Sequence, residues 1–239
     1  VADSSTTGVD YLDNVQVIAK AYPAAEELVK RHTGARKVVA FDHNVRSAGG
    51  VQAKKVIEGG QAVQPPARIV HGDYTIWSAR ERLVQLTKPP HGSDTLAGTG
   101  KGALLAEEDL NGRFAIINVW RNITDQPVAR DPFAFSDAQT VAAEDLCTFE
   151  VHYPHRVGEN YFARDVSGKH VWYYYPAMVR EEALLLKQWD TAGRLAQSKG
   201  ALDDGGGVST LSLHSAFDNN APADAPQRWS CEIRTAVIY

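Results

Sequence analysis

Apolar positions recur at two different intervals along this chain, and the change falls near residue 113. Before it, Val15, Ile18, Ala19, Tyr22, Ala25 and Leu28 keep a spacing close to 3.6 residues and predict a helix over 11–30. Pro23 falls inside that run, where a proline can open a second helical segment at its first turn. Thr33-Gly34 ends it. Lys37–Phe41 then reads as a short buried strand. Asp42, His43, Asn44 and Arg46 follow as a polar cluster of structural character. Residues 47–64 carry the breaker pairs Gly49-Gly50 and Gly59-Gly60 and predict a mobile loop. After Pro65-Pro66, residues 67–73 read as a strand and 78–86 as a helix. Residues 88–102, rich in Pro, Gly, Ser and Thr, read as loop, and 104–110 as a short helix.

Beyond residue 113 the interval becomes two, or the segments are apolar throughout. Strands are predicted over 114–120, 148–153, 171–175, 183–189, 208–217 and 228–239. Helix first and strands afterwards predict an α+β chain that is mainly β. Distant strands that must bring polar residues to one centre predict two facing sheets: a double-stranded β-helix (jelly roll, cupin-like) core with flanking helices. We read residues 1–239 as one domain, with 1–64 as a helical and loop flank and 65–239 as the jelly-roll core. No G-x-G-x-x-G follows a strand, which argues against an open dinucleotide-binding sheet.

The chemistry lies on the predicted strands. His71 and Asp73, two apart, leave the same face of a strand. His214 lies on a later alternating strand, with Thr210 and Ser212 on its face. A polar face turned inward needs partners, and a metal with its surrounding hydrogen bonds supplies them. Two imidazoles and one carboxylate suit Fe(II) and leave positions open for further ligands. A buried histidine satisfied by a backbone carbonyl is the plainer reading of His214, and His152 and His155, either side of Pro154, are rival ligands. On the last strand Arg228 and Ser230 share a face, 228 − 214 = 14 residues after His214. A guanidinium beside a hydroxyl can grip a carboxylate. Arg234 shares that face about 20 Å further along the strand. Asn118 and Trp120 point one way from their strand, and Val119 and Arg121 the other. Asn118 is a candidate hydrogen-bond donor to a cosubstrate. Trp120 and Tyr74 are candidate substrate-facing rings, with plain core packing the competing reading of Trp120.

Composition narrows the partners. A net charge of −4 from 25 basic and 29 acidic residues gives no basic field for nucleic acid. No apolar run reaches the length of a membrane span. No signal-peptide pattern stands at the start, although the chain opens at Val1. Two widely spaced cysteines, Cys147 and Cys231, match no metal or redox spacing and fit a cytoplasmic setting. The aromatic residues point to a small organic substrate with apolar surface.

Seven segments together resemble one family: Phe41–Arg46, Val70–Thr75, Asn118–Arg121, Trp172–Tyr175, Leu186–Asp190, His214–Phe217 and Arg228–Arg234. The family comprises gibberellin desaturase-like proteins, the cephalosporin methoxylation component and hydroxylase/desaturases of fungal secondary metabolism. The resemblance implies a double-stranded β-helix oxygenase using Fe(II), 2-oxoglutarate and O2. It puts the metal ligands on His71, Asp73 and His214, and the cosubstrate clasp on Arg228 and Ser230. It leaves substrate identity open, as well as the choice between hydroxylation and desaturation. Two other readings stand beside it: a cupin-like hydrolase or isomerase with Zn or Mn on the same ligands, and a non-catalytic jelly-roll binding module.

Overall fold

A computed structural model describes residues 1–239 except 4, 59, 154–155, 166–167 and 201–207. The chain enters through Asn14–Gln16, a π-helical turn Val17–Ala21 and the helix Tyr22–Thr33. Pro23 directly follows the π-helical turn; it cannot donate a backbone hydrogen bond, and it falls where the helical run changes from the wider π turn to α. Gly34 closes the helix at φ 68°, a left-handed conformation that glycine adopts without a Cβ clash.

Among the described residues ten strands follow: β1 (Lys37–Arg46), β2 (His71–Gly72), β3 (Phe114–Asn122), β4 (Phe133–Ser136), β5 (Leu146–Tyr153), β6 (Arg156–Ala163), β7 (Trp172–Tyr174), β8 (Ala183–Asp190), β9 (His214–Ala216) and β10 (Ser230–Ile238). They form a four-stranded sheet in the order β1-β10-β3-β8 and a six-stranded sheet in the order β5-β6-β2-β9-β4-β7. The strand pairs in both are antiparallel. This is the expected pair of facing sheets.

Alternation along β3 and β10 explains the layering. Ile117 and Val119 of β3, with Cys231, Ile233 and Val237 of β10, face outward and pack under Val17, Tyr22, Leu28 and Val29 of the helical entry. Inward, Ile116, Ala236 and Ile238 meet Trp189, Leu211 and Leu213. A second inward cluster gathers Trp120, Phe133, Met178 and Leu186. On the inner face of β3, Ile116 belongs to one cluster and Trp120 to the other, so Asn118 between them marks a polar gap. Arg121 points outward, fully buried, and makes a 2.6 Å ion pair with Asp3.

Several sequence expectations change. β1 runs on through the polar cluster to Arg46, because those residues pair with β10. The stretch 47–64 is not plain loop. It holds a short helix, Ala48–Gln52, started by the Ser47 hydroxyl accepting from Gly50 N at 3.2 Å. Its end is tied back to β1 by Gln64 N donating to Val45 O at 3.0 Å. The strand expected over 67–73 pairs only at His71–Gly72, and Arg68 upstream is drawn to Asp131 at 2.6 Å. The strand expected over 208–217 shrinks to His214–Ala216. The helix expected over 104–110 is a 3-10 turn, Glu107–Leu110. β4 and β6 were not foreseen. Among the described residues no helix is long and apolar enough to cross a membrane.

Candidate active site

β2 and β9 are neighbours, and His71 lies directly opposite His214 in their register. Residues facing each other across antiparallel strands turn their side chains to the same side. Both imidazoles therefore leave the same face of the six-stranded sheet, with ring centroids 4.2 Å apart. Asp73 lies one residue past the end of β2, so strand alternation is not what brings it to His71. It is placed by the opposite sheet. Its backbone N–H donates to Gln188 Oε1 at 3.0 Å. Its Oδ2 accepts from Asn118 Nδ2 at 3.0 Å and from Arg234 Nε at 3.2 Å. Asn118 and Arg234 are themselves directly paired in the β3–β10 register.

Gln188 reaches the site through a bulge. Lys187 pairs with Ile117 and Trp189 with Ile116, leaving Gln188 as the extra residue of β8. A bulge re-aims a side chain in this way. Its Nε2 also lies 3.4 Å from His214 Nδ1.

The remaining Asp73 oxygen, Oδ1, lies 3.6 Å from His71 Nε2 and 4.0 Å from His214 Nε2. The three ligand atoms lie within 4.8 Å of one another. Donors at right angles around one first-row ion are about 3 Å apart, so the group closes on an ion by small side-chain shifts. His71 Nδ1 is 2.8 Å from the Ile69 carbonyl. A carbonyl only accepts, so Nδ1 donates to it and Nε2 is the ring nitrogen turned towards Asp73. The donor set and its supporting hydrogen bonds fit a divalent first-row metal.

Electrostatics agree. Burial, followed by the neighbouring His71, lowers His214 to about 3, so it is a neutral imidazole at neutral pH. Burial pushes Asp73 upward, but Arg234 above all, then His214, His71 and the Asn118 hydrogen bond, hold it well below the carboxylate range. Glu232, buried beside Asp73, is raised by burial and by that neighbouring charge. Asn118 Nδ2 also donates to Glu232 Oε1.

Two cavities meet at His71 and Asp73. The smaller is lined by Arg46, Trp120, Phe133, His214, Arg228 and Glu232 among others. Phe133 stacks on His214 at 5.4 Å and contacts Trp120 at 5.3 Å. Arg228, 4 % exposed, lies over the Trp120 ring at 5.8 Å. It donates to the Asp131 carbonyl, has a buried Nε without a partner, and makes no ion pair among the described residues. Burial pulls its guanidinium down to about 10. Ser230, also buried, opens β10 two residues on. The larger cavity, about 400 Å³, holds Tyr74, Arg82, Glu81, Gln61, Gln64 and Glu159 on its wall. That polar lining departs from the expected apolar substrate surface.

His71, Asp73, His214, Asn118, Trp120, Arg228 and Tyr74 thus lie on Asp73 or on the two cavities beside it, with roles redistributed, whereas Ser230 is on neither wall. The Asn118 amide nitrogen, expected on a cosubstrate, is given to Asp73 and Glu232. Trp120 faces the small cavity beside Arg228, and Tyr74 the large one. His152 is an exposed partner of Glu150 at 2.8 Å, remote from the triad in role, and His155 lies outside the described residues. Gln188 carries no signal of its own in the sequence, Asp42 stood there only in a structural polar cluster, and Arg234 only as a rival clasp. Period two over the strand expected at 228–239 groups Arg228, Ser230, Glu232 and Arg234 on one face, which is the signal that could have found the last two; the observed β10 starts at Ser230.

Comparisons agree with this geometry. Residues 1–238 match the model of the "Oxidoreductase/YMDC permease-like domain" family. An uncharacterized protein in the dcmA 3' region of Methylophilus leisingeri is 41% identical over 123 residues, 48% of this chain and 57% of that protein. The alpha-ketoglutarate-dependent dioxygenase phiK of a fungal species is 29% identical over 96% of this chain and 73% of its own length. The Fe(II)/2-oxoglutarate-dependent dioxygenase nvfI of Aspergillus novofumigatus is 30% identical over 95% of this chain and 69% of its length. The solved structure of the iron and alpha-ketoglutarate-dependent endoperoxidase NvfI superposes with a TM-score of 0.74 at 27% identity, covering 100% of this chain and 77% of that one. The chain belongs to this family of Fe(II)/2-oxoglutarate-dependent dioxygenases, whose cofactor and cosubstrates are Fe(II), 2-oxoglutarate and O2. It spans less than two thirds of the Methylophilus relative and about three quarters of phiK.

Proposed function

We propose that this chain hydroxylates or desaturates a small organic molecule of the secondary-metabolite type. In this reading His71, Asp73 and His214 hold the iron, and Arg228 with Ser230 holds the far carboxylate of 2-oxoglutarate. The convergence of two imidazoles and one carboxylate within 4.8 Å carries the reading. Fe(II), 2-oxoglutarate and O2 supply the oxidising chemistry when bound. The protein's own part is placement, charge and exclusion of water. The three donors occupy one side and leave the side towards the two cavities open. Among the described residues Arg228 is a buried cation with no carboxylate in ion-pair contact, and leaving such a charge unpaired is costly. A dicarboxylate ligand would supply the missing anion. Trp120 and Phe133 pack behind His214 and Arg228 and shut water out of that end.

The substrate enters through the 400 Å³ cavity beside Tyr74. Its wall carries Gln61, Gln64, Glu81, Arg82 and Glu159, so the substrate presents several hydrogen-bonding groups rather than a bare hydrocarbon face. The test pairs Arg228→Met with a succinate-release screen of oxygenated small molecules. The Mn(II)-loaded variant should bind 2-oxoglutarate about tenfold more weakly or worse, the cost of unpairing a buried charge contact. Its Mn(II) affinity should stay unchanged. Undiminished 2-oxoglutarate binding would remove Arg228 from the clasp.

A further inference from the structure

Arg234 is only 14 % exposed at its side chain and has two acidic partners, one on each side. Its Nε donates to Asp73 Oδ2 at 3.2 Å, and its Nη1 donates to Asp42 Oδ2 at 2.8 Å. Asp42 is the residue paired with Arg234 across β1 and β10, immediately after the register shift at Phe41. The Thr95 hydroxyl donates to Asp42 Oδ1 and fixes that carboxylate in turn. Thr95 and Asp42 both lie on the wall of the large cavity. With Asn118 on its other side, Asp73 Oδ2 has two donors in fixed positions. Oδ1 faces the two imidazoles.

A carboxylate with both oxygens free can swing or chelate an ion through both. One whose second oxygen is held by a guanidinium and an amide offers a single oxygen in a single direction. We infer that Arg234 is a positioning residue: through the Thr95–Asp42–Arg234 chain it holds Asp73 Oδ2 and makes Asp73 a one-oxygen metal ligand. The inference rests on the metal-site reading above. It gives Arg234 a task different from the cosubstrate clasp, for which it is the rival of Arg228.

Charge and position predict opposite results here, which makes the test decisive. A cation beside a divalent ion repels it, so loss of Arg234 as a mere charge would tighten metal binding. Loss of a positioning group weakens it, by about tenfold or more for partners of metal ligands. The experiment titrates the apoprotein with Mn(II), following the free ion by electron paramagnetic resonance, and records a thermal melt of each variant. Wild type should bind one ion; failure there would overturn the metal-site reading itself. Arg234→Met should weaken Mn(II) binding about tenfold. Arg234→Lys keeps the charge but lacks the planar fork that spans Asp73 and Asp42. It should also bind Mn(II) more weakly than wild type, and it serves as the deciding variant if Arg234→Met does not fold. Affinity equal to or tighter than wild type in the folded variants overturns the inference. So does a loss confined to 2-oxoglutarate binding, which would make Arg234 the clasp.

Discussion

At the scale of single residues, most of the polar groups buried around the site belong to one network. Asp73 touches Asn118, Arg234 and Gln188, and these reach Glu232, Asp42 and His214. His43 stands on the other side of β1, its Nδ1 3.0 Å from the Tyr22 hydroxyl and its Nε2 buried without a partner. Burial lowers its pKa below the usual imidazole value, more than Asp42 raises it. The sign of the consequence is fixed. Above about pH 6.5 both folded and unfolded chains hold it neutral. As pH falls through that value the unfolded chain takes a proton that the fold refuses, and stability is lost. His43→Gln keeps an acceptor for Tyr22 and removes that proton site. Its melting temperature should therefore fall less than that of wild type between about pH 7 and about pH 5. An equal or steeper fall would contradict the buried neutral imidazole. The candidate ligands His71, Asp73 and His214 were picked out by the two-residue spacing of the first pair and by the segments that resemble the family. Gln188 and Asp42 were not, because their place depends on bulges and on which strand of one sheet faces which strand of the other.

At the scale of elements, long periodic segments were the readable ones. The helix over 22–33 and strand β10 follow their apolar periods, β3 is apolar throughout, and β8, whose pattern fits helix or strand alike, is decided by its neighbours and the 190–193 turn. β4 has four residues, and β6 carries Gly158 and a run of polar groups, so neither shows a period long enough to count. β2 and β9 are shorter still, yet they bear two of the candidate ligands. Their position comes from neighbouring strands rather than from their own sequence. The helical entry has the opposite character: it packs on the outside of the four-stranded sheet, away from the ligands. Leu28, 1 % exposed on that helix, should on Leu28→Ala lower unfolding stability by about 2–5 kcal/mol, the range for such core truncations. Mn(II) affinity should be unchanged. A matching loss of metal binding in denaturant and metal titrations would show that helix packing and site geometry are coupled.

At the scale of the whole molecule, each sheet supplies what the other lacks. The six-stranded sheet brings the two imidazoles side by side, and the four-stranded sheet brings Asn118, Gln188 and Arg234 to hold the carboxylate between them. The apolar clusters above and below leave a polar gap with two cavities opening from it. Family membership and this geometry point to the same chemistry by separate routes. The measurement that tests the account most directly is an anaerobic titration of the apoprotein with Fe(II) and then 2-oxoglutarate, followed by visible absorption. The account predicts a metal-to-ligand charge-transfer band that appears only when both are present and is missing in His214→Ala. Iron binding with no such band, or the same band in His214→Ala, would contradict it.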